Sequence, residues 1–223
     1  MEFPSLMTVF AHQDDETFSA GGTLAKYGSK SKAWAVTVTE DSKRKQEFKD
    51  ACEILGVEPI SLGFASVGPH NREDVILKIV RTIRLHKPTF IITHVPFDYH
   101  REHRLIHEAV LEAVEWASHT TSEESAFQVH AVFGAETTVL IPFPELYIDI
   151  SETNEKRLQA IKRYESQSHK GGKGFYSKFH GTRTKLRGIQ AEVEDAEAFI
   201  RFPISTTGAF KPRKHYKSFE EAR

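Results

Sequence analysis

The chain has a single cysteine, no run of eighteen apolar residues and no surplus of either charge, with 30 basic against 31 acidic side chains in 223 residues. One thiol excludes an intrachain disulfide and any thiolate metal cluster. Its neighbours Phe48, Ala51 and Leu55 recur at helical spacing, which marks Cys52 as a small core residue. Without a long apolar run there is no candidate membrane-spanning helix. The start, "MEFPSLMTVFAH", has neither a basic n-region nor a long h-region, so a soluble, cytoplasmic protein is expected. Balanced charge gives no basis for attraction to nucleic acid or to an anionic membrane. Internal repeats and low-complexity linkers are also missing. No G-x-G-x-x-G follows the first strand candidate, which disfavours a dinucleotide-binding module. "GGKG" at 171–174 lacks the preceding strand and the Lys-Ser/Thr of a phosphate loop and reads as a flexible loop. No serine stands in a nucleophile-elbow context. What the chain does have is twelve histidines among its many acids, so any metal site must be built from His, Asp and Glu.

Short β-branched or aromatic runs at 6–11, 33–39, 59–64 and 89–95 read as strands, with "VHAVFGA" and "LYIDI" as two more. Helical patterns lie between them: 16–30, weakened by Gly21 and Gly22; 42–57, stopped by Gly56; a helix opened by Asn71 with its stripe at Val75, Ile76, Ile79, Val80 and Ile83; 100–118; and 152–166. Strand and helix alternate for at least four rounds, which predicts an α/β fold with a mainly parallel sheet. One domain spanning 1–223 is the simplest count. Its less regular last third, from about Gly134, is expected to cover the mouth of the sheet.

In such sheets ligands bind beyond the carboxyl ends of the strands where the strand order reverses. The usual order 3-2-1-4 makes strands one and four neighbours there. "AHQDDE" leaves the first of these strands and "VPFDYHREHRLIH" the fourth, so two clusters of histidine and acid meet at one crevice. Acidic groups crowded together repel one another and favour a bound cation. His12 and Asp15 offer a nitrogen and an oxygen, and a histidine of the second cluster makes three. Three ligands with an open position describe a catalytic zinc site. A carboxylate beside the metal can take a proton from water, and an imidazole opposite can steady an oxyanion or protonate a leaving group.

"AHQDDE" resembles the AHPDDE motif of the LmbE-like (PIG-L) family of zinc-dependent N-deacetylases, and "DYHREHR" resembles its D-x-H-P-D-H-R. "RKQEFKDACEILGV", "LYIDIS" with "KRLQAIKRYESQ", and "LRG" followed by "AEAF" are similar to further family motifs in the same order. The resemblance implies a Rossmann-like three-layer fold and a hydrolase removing the acetyl group from an N-acetylglucosamine-type amino sugar, a small-molecule substrate. It implies His12, Asp15 and His103 as zinc ligands, Asp14 as general base and His100 as electrostatic partner or general acid. Glu102 would orient His100, Asp98 would support the same loop, and Arg44 would contact substrate hydroxyls. Iron(II) fits the same His₂-Asp set. The sequence is compatible with a homo-oligomer.

The chain departs from the family at Gln13, where proline is usual, and at Arg101-Glu102, which replaces Pro-Asp. Both changes leave a loop with a less fixed φ. Glu16 reads as an ordinary first-turn acid. His107 is the nearest rival ligand and is favoured as structural; His94 carries no assigned role. A related zinc amidase acting on a thiol conjugate, and a non-catalytic carbohydrate-binding protein, are the alternative readings. From Ser166 to Gln190 there are six Lys or Arg and no acid. That stretch reads either as a solvated basic loop or as a field attracting a phosphorylated or nucleotide-linked sugar.

Overall fold

Leu6–Phe10 (β1) is buried on both faces, as expected of an apolar run at the centre of a parallel sheet. In the computed structural model, which describes residues 3–120, 125–167 and 175–204, it is followed by Asp15–Gly28 (α1), Ala33–Thr39 (β2), Lys45–Leu55 (α2) and Glu58–Phe64 (β3). Arg72–His86 (α3), Phe90–His94 (β4), Arg101–Ala117 (α4) and Ala131–Ala135 (β5) continue the alternation. Leu146–Asp149 (β6), Asn154–Ile161 (α5), Phe175–Ala191 (α6) and Ala196–Phe202 (β7) complete the order. The sheet runs β3-β2-β1-β4-β5-β7-β6. Its first five strands are parallel, whereas β7 pairs antiparallel with both β5 and β6. The expected 3-2-1-4 order is therefore present, and the α/β, mainly parallel fold with it.

Two cores sandwich the sheet. Val75, Ile76 and Ile79 of α3 and Ala109, Val110 and Ala113 of α4 pack on one face against Met7, Val9 and Val36. Leu24 and Ala25 of α1, Phe48 and Cys52 of α2 and Ala160 of α5 pack on the other face against Leu6, Phe10 and Ala35. Cys52 is accordingly buried and free of disulfide. Gly56 closes α2 in the left-handed conformation, φ 73°. Among the described residues no helix is long and apolar enough to cross a membrane.

Three expectations need correction. Asn71 stands at the start of α3, but its side chain turns back to accept from Gly68 N and donate to Ser66 O. The stretch from Phe175 is a helix rather than a loose loop, while 171–174 lies outside the described residues. Residues 196–202 form a strand that the apolar pattern did not suggest, because Glu197 and Arg201 interrupt it. Glu197 has a purpose there. Helix α1 is broken at Ala20 (φ −143°, ψ 20°), and a break leaves backbone N–H groups without partners. The Glu197 carboxylate accepts from Gly22 N at 2.9 Å and Thr23 N at 2.8 Å. A Cβ on Gly22 would meet Ile150 at 2.7 Å, so the glycine lets the segment after β6 approach the break.

Candidate metal centre

The loop after β1 and the start of α4 meet beyond the carboxyl ends of β1 and β4. There His12 Nδ1 and Asp15 Oδ2 stand 3.2 Å apart, His103 Nε2 and Asp15 Oδ2 3.4 Å, and His103 Nε2 and His12 Nδ1 3.3 Å. Donors held about 2.0–2.1 Å from a tetrahedral zinc lie about 3.3–3.4 Å from each other. The three atoms thus form the near-equilateral face that such an ion requires. The opposite nitrogen of each histidine meets a carboxylate: Glu102 Oε2 lies 2.8 Å from His12 Nε2, and Asp98 Oδ2 lies 3.1 Å from His103 Nδ1. An ionised carboxylate only accepts, so Glu102 fixes the His12 proton on Nε2 and leaves Nδ1 bare toward the centre, whereas Asp98 approaches His103 Nδ1 as a charge outside hydrogen-bond geometry.

The electrostatics ask for positive charge. Burial pushes the His12 imidazole down, yet the hydrogen bonds to Asp15 and Glu102 outweigh it and lift it to about 10. For His103 burial is again outweighed, here by the Asp15 charge first, and the group rises to about 9. Asp15 is held well below the usual carboxylate range: burial opposes this, but the charge and hydrogen bonds of His103 prevail. A divalent cation replacing those protons satisfies the same carboxylates. The donor set therefore fits a divalent metal ion.

Two other groups have a compatible spacing. His12 with His100 and His103 lacks a carboxylate to balance a dication. The other is Asp15 with His94 and His103. It is less suited, because the His94 Nε2 lone pair already accepts from Ala11 N at 2.9 Å. The other ring nitrogen of His94 lies 3.0 Å from Thr137 Oγ1. His94 is a buried brace, its ring stacked on His103 at 3.9 Å. His107 is structural as expected, donating from Nδ1 to His94 O at 2.9 Å.

Asp14 sits beside the triangle with φ 130°, a strained value for a residue with a Cβ. Burial, then the Asp15 charge, pushes its carboxyl up to about 8, with the Arg44 charge pulling the other way. Its amide donates to Glu16 Oε2 at 3.0 Å, and its carbonyl accepts from Thr17 N and Phe18 N. Glu16 is therefore no solvated first-turn acid. It is 1% exposed and also accepts from the hydroxyls of Thr17 and Tyr164. Its burial and its link to a residue 148 positions away are tertiary facts that a short motif cannot carry. Tyr164→Phe strips that carboxylate of one buried donor and is expected to cost about 1–3 kcal/mol. Thermal unfolding checks this; an unchanged Tm would remove the brace.

Gln13 replaces proline's restraint with a bond. Its Oε1 accepts from Asp41 N at 2.9 Å, tying the loop after β1 to the loop after β2. Arg44 lines the same cleft, and its Nη1 lies 3.2 Å from Asp14 Oδ2 and 3.3 Å from Gln13 O. In this state it holds the acid instead of facing outward. His100 packs edge-on against His12, centroids 4.8 Å apart, and its Nδ1 is buried with no partner. Burial, then the His103 and His12 charges, lowers its pKa.

Glu102 does not orient His100. From the first turn of α4 it reaches across to His12 and accepts from Val67 N at 2.7 Å. His100, still extended before the helix, is anchored by its own amide to Asp98 Oδ1 at 2.8 Å. Asp98 supports the loop as expected, also receiving the Thr138 hydroxyl. Glu102→Gln is accordingly expected to weaken metal binding by roughly 10–100-fold. Competition with a chromophoric chelator reads this; intact affinity with lost turnover would return Glu102 to His100.

Two of the six basic side chains, Arg183 and Arg187, are buried. Arg187 pairs with Glu136, Arg183 with the same carboxylate and with Phe18 O, and Lys185 with Glu194 and Asp195. Lys170 and Lys173 lie outside the described residues. Among the described four, Lys178 and Lys185 are exposed and Lys185 is paired with acids, so the described side chains give little support to an anion-attracting field.

Residues 7–114 match the model of the PIG-L family, described as GlcNAc-PI de-N-acetylase. "AHQDDE" and "DYHREHR" both fall within that span, so the likeness to the PIG-L (LmbE-like) family holds. A probable N-acetyl-alpha-D-glucosaminyl L-malate deacetylase of Bacillus cereus is 29% identical over 191 residues, covering 73% of this chain and 83% of that protein. The diacetylchitobiose deacetylase of Thermococcus kodakarensis is 27% identical over 188 residues, covering 73% and 69%. Among solved structures, the 4-carboxy-2-hydroxymuconate hydratase of Pseudomonas putida has a TM-score of 0.77 at 20% identity, over 93% of this chain and all of that one. At that identity the likeness establishes the fold alone.

Proposed function

We propose that this chain, PIG-L-like over its amino-terminal half, is a hydrolase that removes the N-acetyl group from an N-acetylglucosamine-type amino sugar. The site works with zinc held by His12, Asp15 and His103. The observation that carries this reading is the near-equilateral donor triangle with an acid beside it that is not one of the three. Binding a sugar needs neither; metal-assisted attack of water on an amide uses both. Two relatives named as deacetylases of N-acetylated sugars point the same way.

The cation supplies Lewis acidity toward an amide carbonyl and toward water. Asp14, fixed by its backbone bonds, takes the proton of the attacking water. The water oxygen bonds to the acyl carbon, the C–N bond breaks, and Asp14 returns the proton to the amine nitrogen. Acetate and a free amine result. His100 lines the cleft, and its ring would donate to the oxyanion. His100→Ala should therefore keep the metal and lower kcat by about 10²–10⁴; full activity would remove it from the mechanism. Arg44, which lines the cleft, would contact sugar hydroxyls once released from Asp14.

Acetate release across a panel of N-acetylated sugars, sugar–malate conjugates, nucleotide-linked sugars and thiol-conjugate amides tests the assignment. Release from the sugars supports it. Turnover of the thiol conjugates alone would establish the amidase alternative, and no turnover of any amide would leave a binding protein.

A further inference from the structure

The cleft beside the triangle has room of about 150 Å³ and two unlike ends. Its outer end is marked by Tyr99, which is 67% exposed, and by half-buried Arg44 and His100. Its inner end is closed by buried Phe18, Thr137, Gln167 and His180. The wall there is the Phe18–His180 pair, stacked with centroids 4.5 Å apart and an interplanar angle of 28°, with the half-buried Tyr176 ring 6.1 Å from each.

This wall is fixed from behind. Arg183, buried on α6, donates to Phe18 O, and Arg157, buried on α5, donates to His180 O at 3.2 Å. Both guanidiniums grip backbone, so the two rings keep their places as a unit. The His180 Nδ1 is buried without a partner, so stacking holds the ring. Burial, then the Arg183 and Arg157 charges, keeps its pKa well below the usual value, so it is neutral.

We infer that Phe18 and His180 are the specificity-determining residues for the acyl group, closing the inner end so that acetyl enters and longer chains do not. The inference rests on the deacetylase reading. A sugar ring carries several hydroxyls that need hydrogen bonds from water or polar side chains, so it belongs at the exposed end. The acyl chain is the part of the substrate that can lose all contact with solvent, and it meets a wall of packed rings. Close-packed walls resist an added methylene. One extra methylene is expected to cost about 10–200-fold in kcat/KM.

The test compares N-acetyl-, N-propanoyl- and N-butanoyl-glucosamine with the metal-loaded protein and its His180→Ala and His180→Phe variants. Wild type and His180→Phe should favour acetyl over propanoyl by at least about tenfold. His180→Ala opens the wall, loses no side-chain hydrogen bond, and should shrink that ratio at least tenfold while keeping its metal. A general loss of stability would lower all three rates together and leave the ratio alone. Equal wild-type efficiency on acetyl and propanoyl would overturn the inference with the deacetylase intact, as would an unchanged ratio in His180→Ala. Should that variant fail to fold, the wild-type series decides by itself. No release from any of the three, nor from the other N-acetylated sugars, would instead sink the deacetylase reading and this inference together.

Discussion

Asp14→Asn is expected to keep its metal and lose about 10²–10⁴-fold in kcat. The carboxamide has the shape of the carboxyl group but cannot accept a proton from water. The backbone around it should persist, because the bonds that hold the φ of 130° are made by the Asp14 amide and carbonyl with Glu16, Thr17 and Phe18. The substitution also removes one of two adjacent buried acids, which relieves repulsion with Asp15. Tm should then be unchanged or higher, a common pattern where an active site has been kept at the expense of stability. Lost turnover, full metal and undiminished Tm together identify a base. Lost metal would show that Asp14 is a ligand.

Asp15→Ala and His103→Ala should do the reverse and empty the site. Asp15 Oδ2 is a corner of the triangle, and it also accepts from His12 N at 2.9 Å. Removing it takes away a donor and the charge that draws His12 and His103 toward the centre. The loss in affinity should exceed the roughly 10–100-fold expected for an outer partner such as Glu102. Metal analysis after dialysis gives the ratio of metal to protein for each variant. A full complement in Asp15→Ala beside an empty Asp14→Asn would exchange the two roles.

The first four strands and the crevice were legible because each rests on a local signal. Apolar runs of strand length alternate with helical stripes, and β1 and β4 both deliver acid and histidine to one edge. Helix α6 was not legible, because its buried face is polar. His180, Arg183, Thr184 and Arg187 follow helical spacing and are buried, while Leu186 and Ile189 on the same helix are exposed. Hydrophobic periodicity reads such a helix as a basic loop, since the carboxylate that neutralises its arginines, Glu136, lies about fifty positions away. Strand β7 was hidden for the same kind of reason, as Glu197 serves a break in α1 from the middle of a sheet. Glu102 was read from its neighbour in sequence, and the longer side chain found another histidine. The wall at His180 follows from α6 and could not be reached before it.

The central claim is that these three donors hold a divalent metal ion on which amide cleavage depends. Acetate release from whichever N-acetylated sugar of the panel is turned over, followed before chelation, after chelation and on adding back one equivalent of zinc, is the decisive measurement. Release should stop with the chelator and return with zinc. Release that continues undiminished after the metal has been stripped would contradict it.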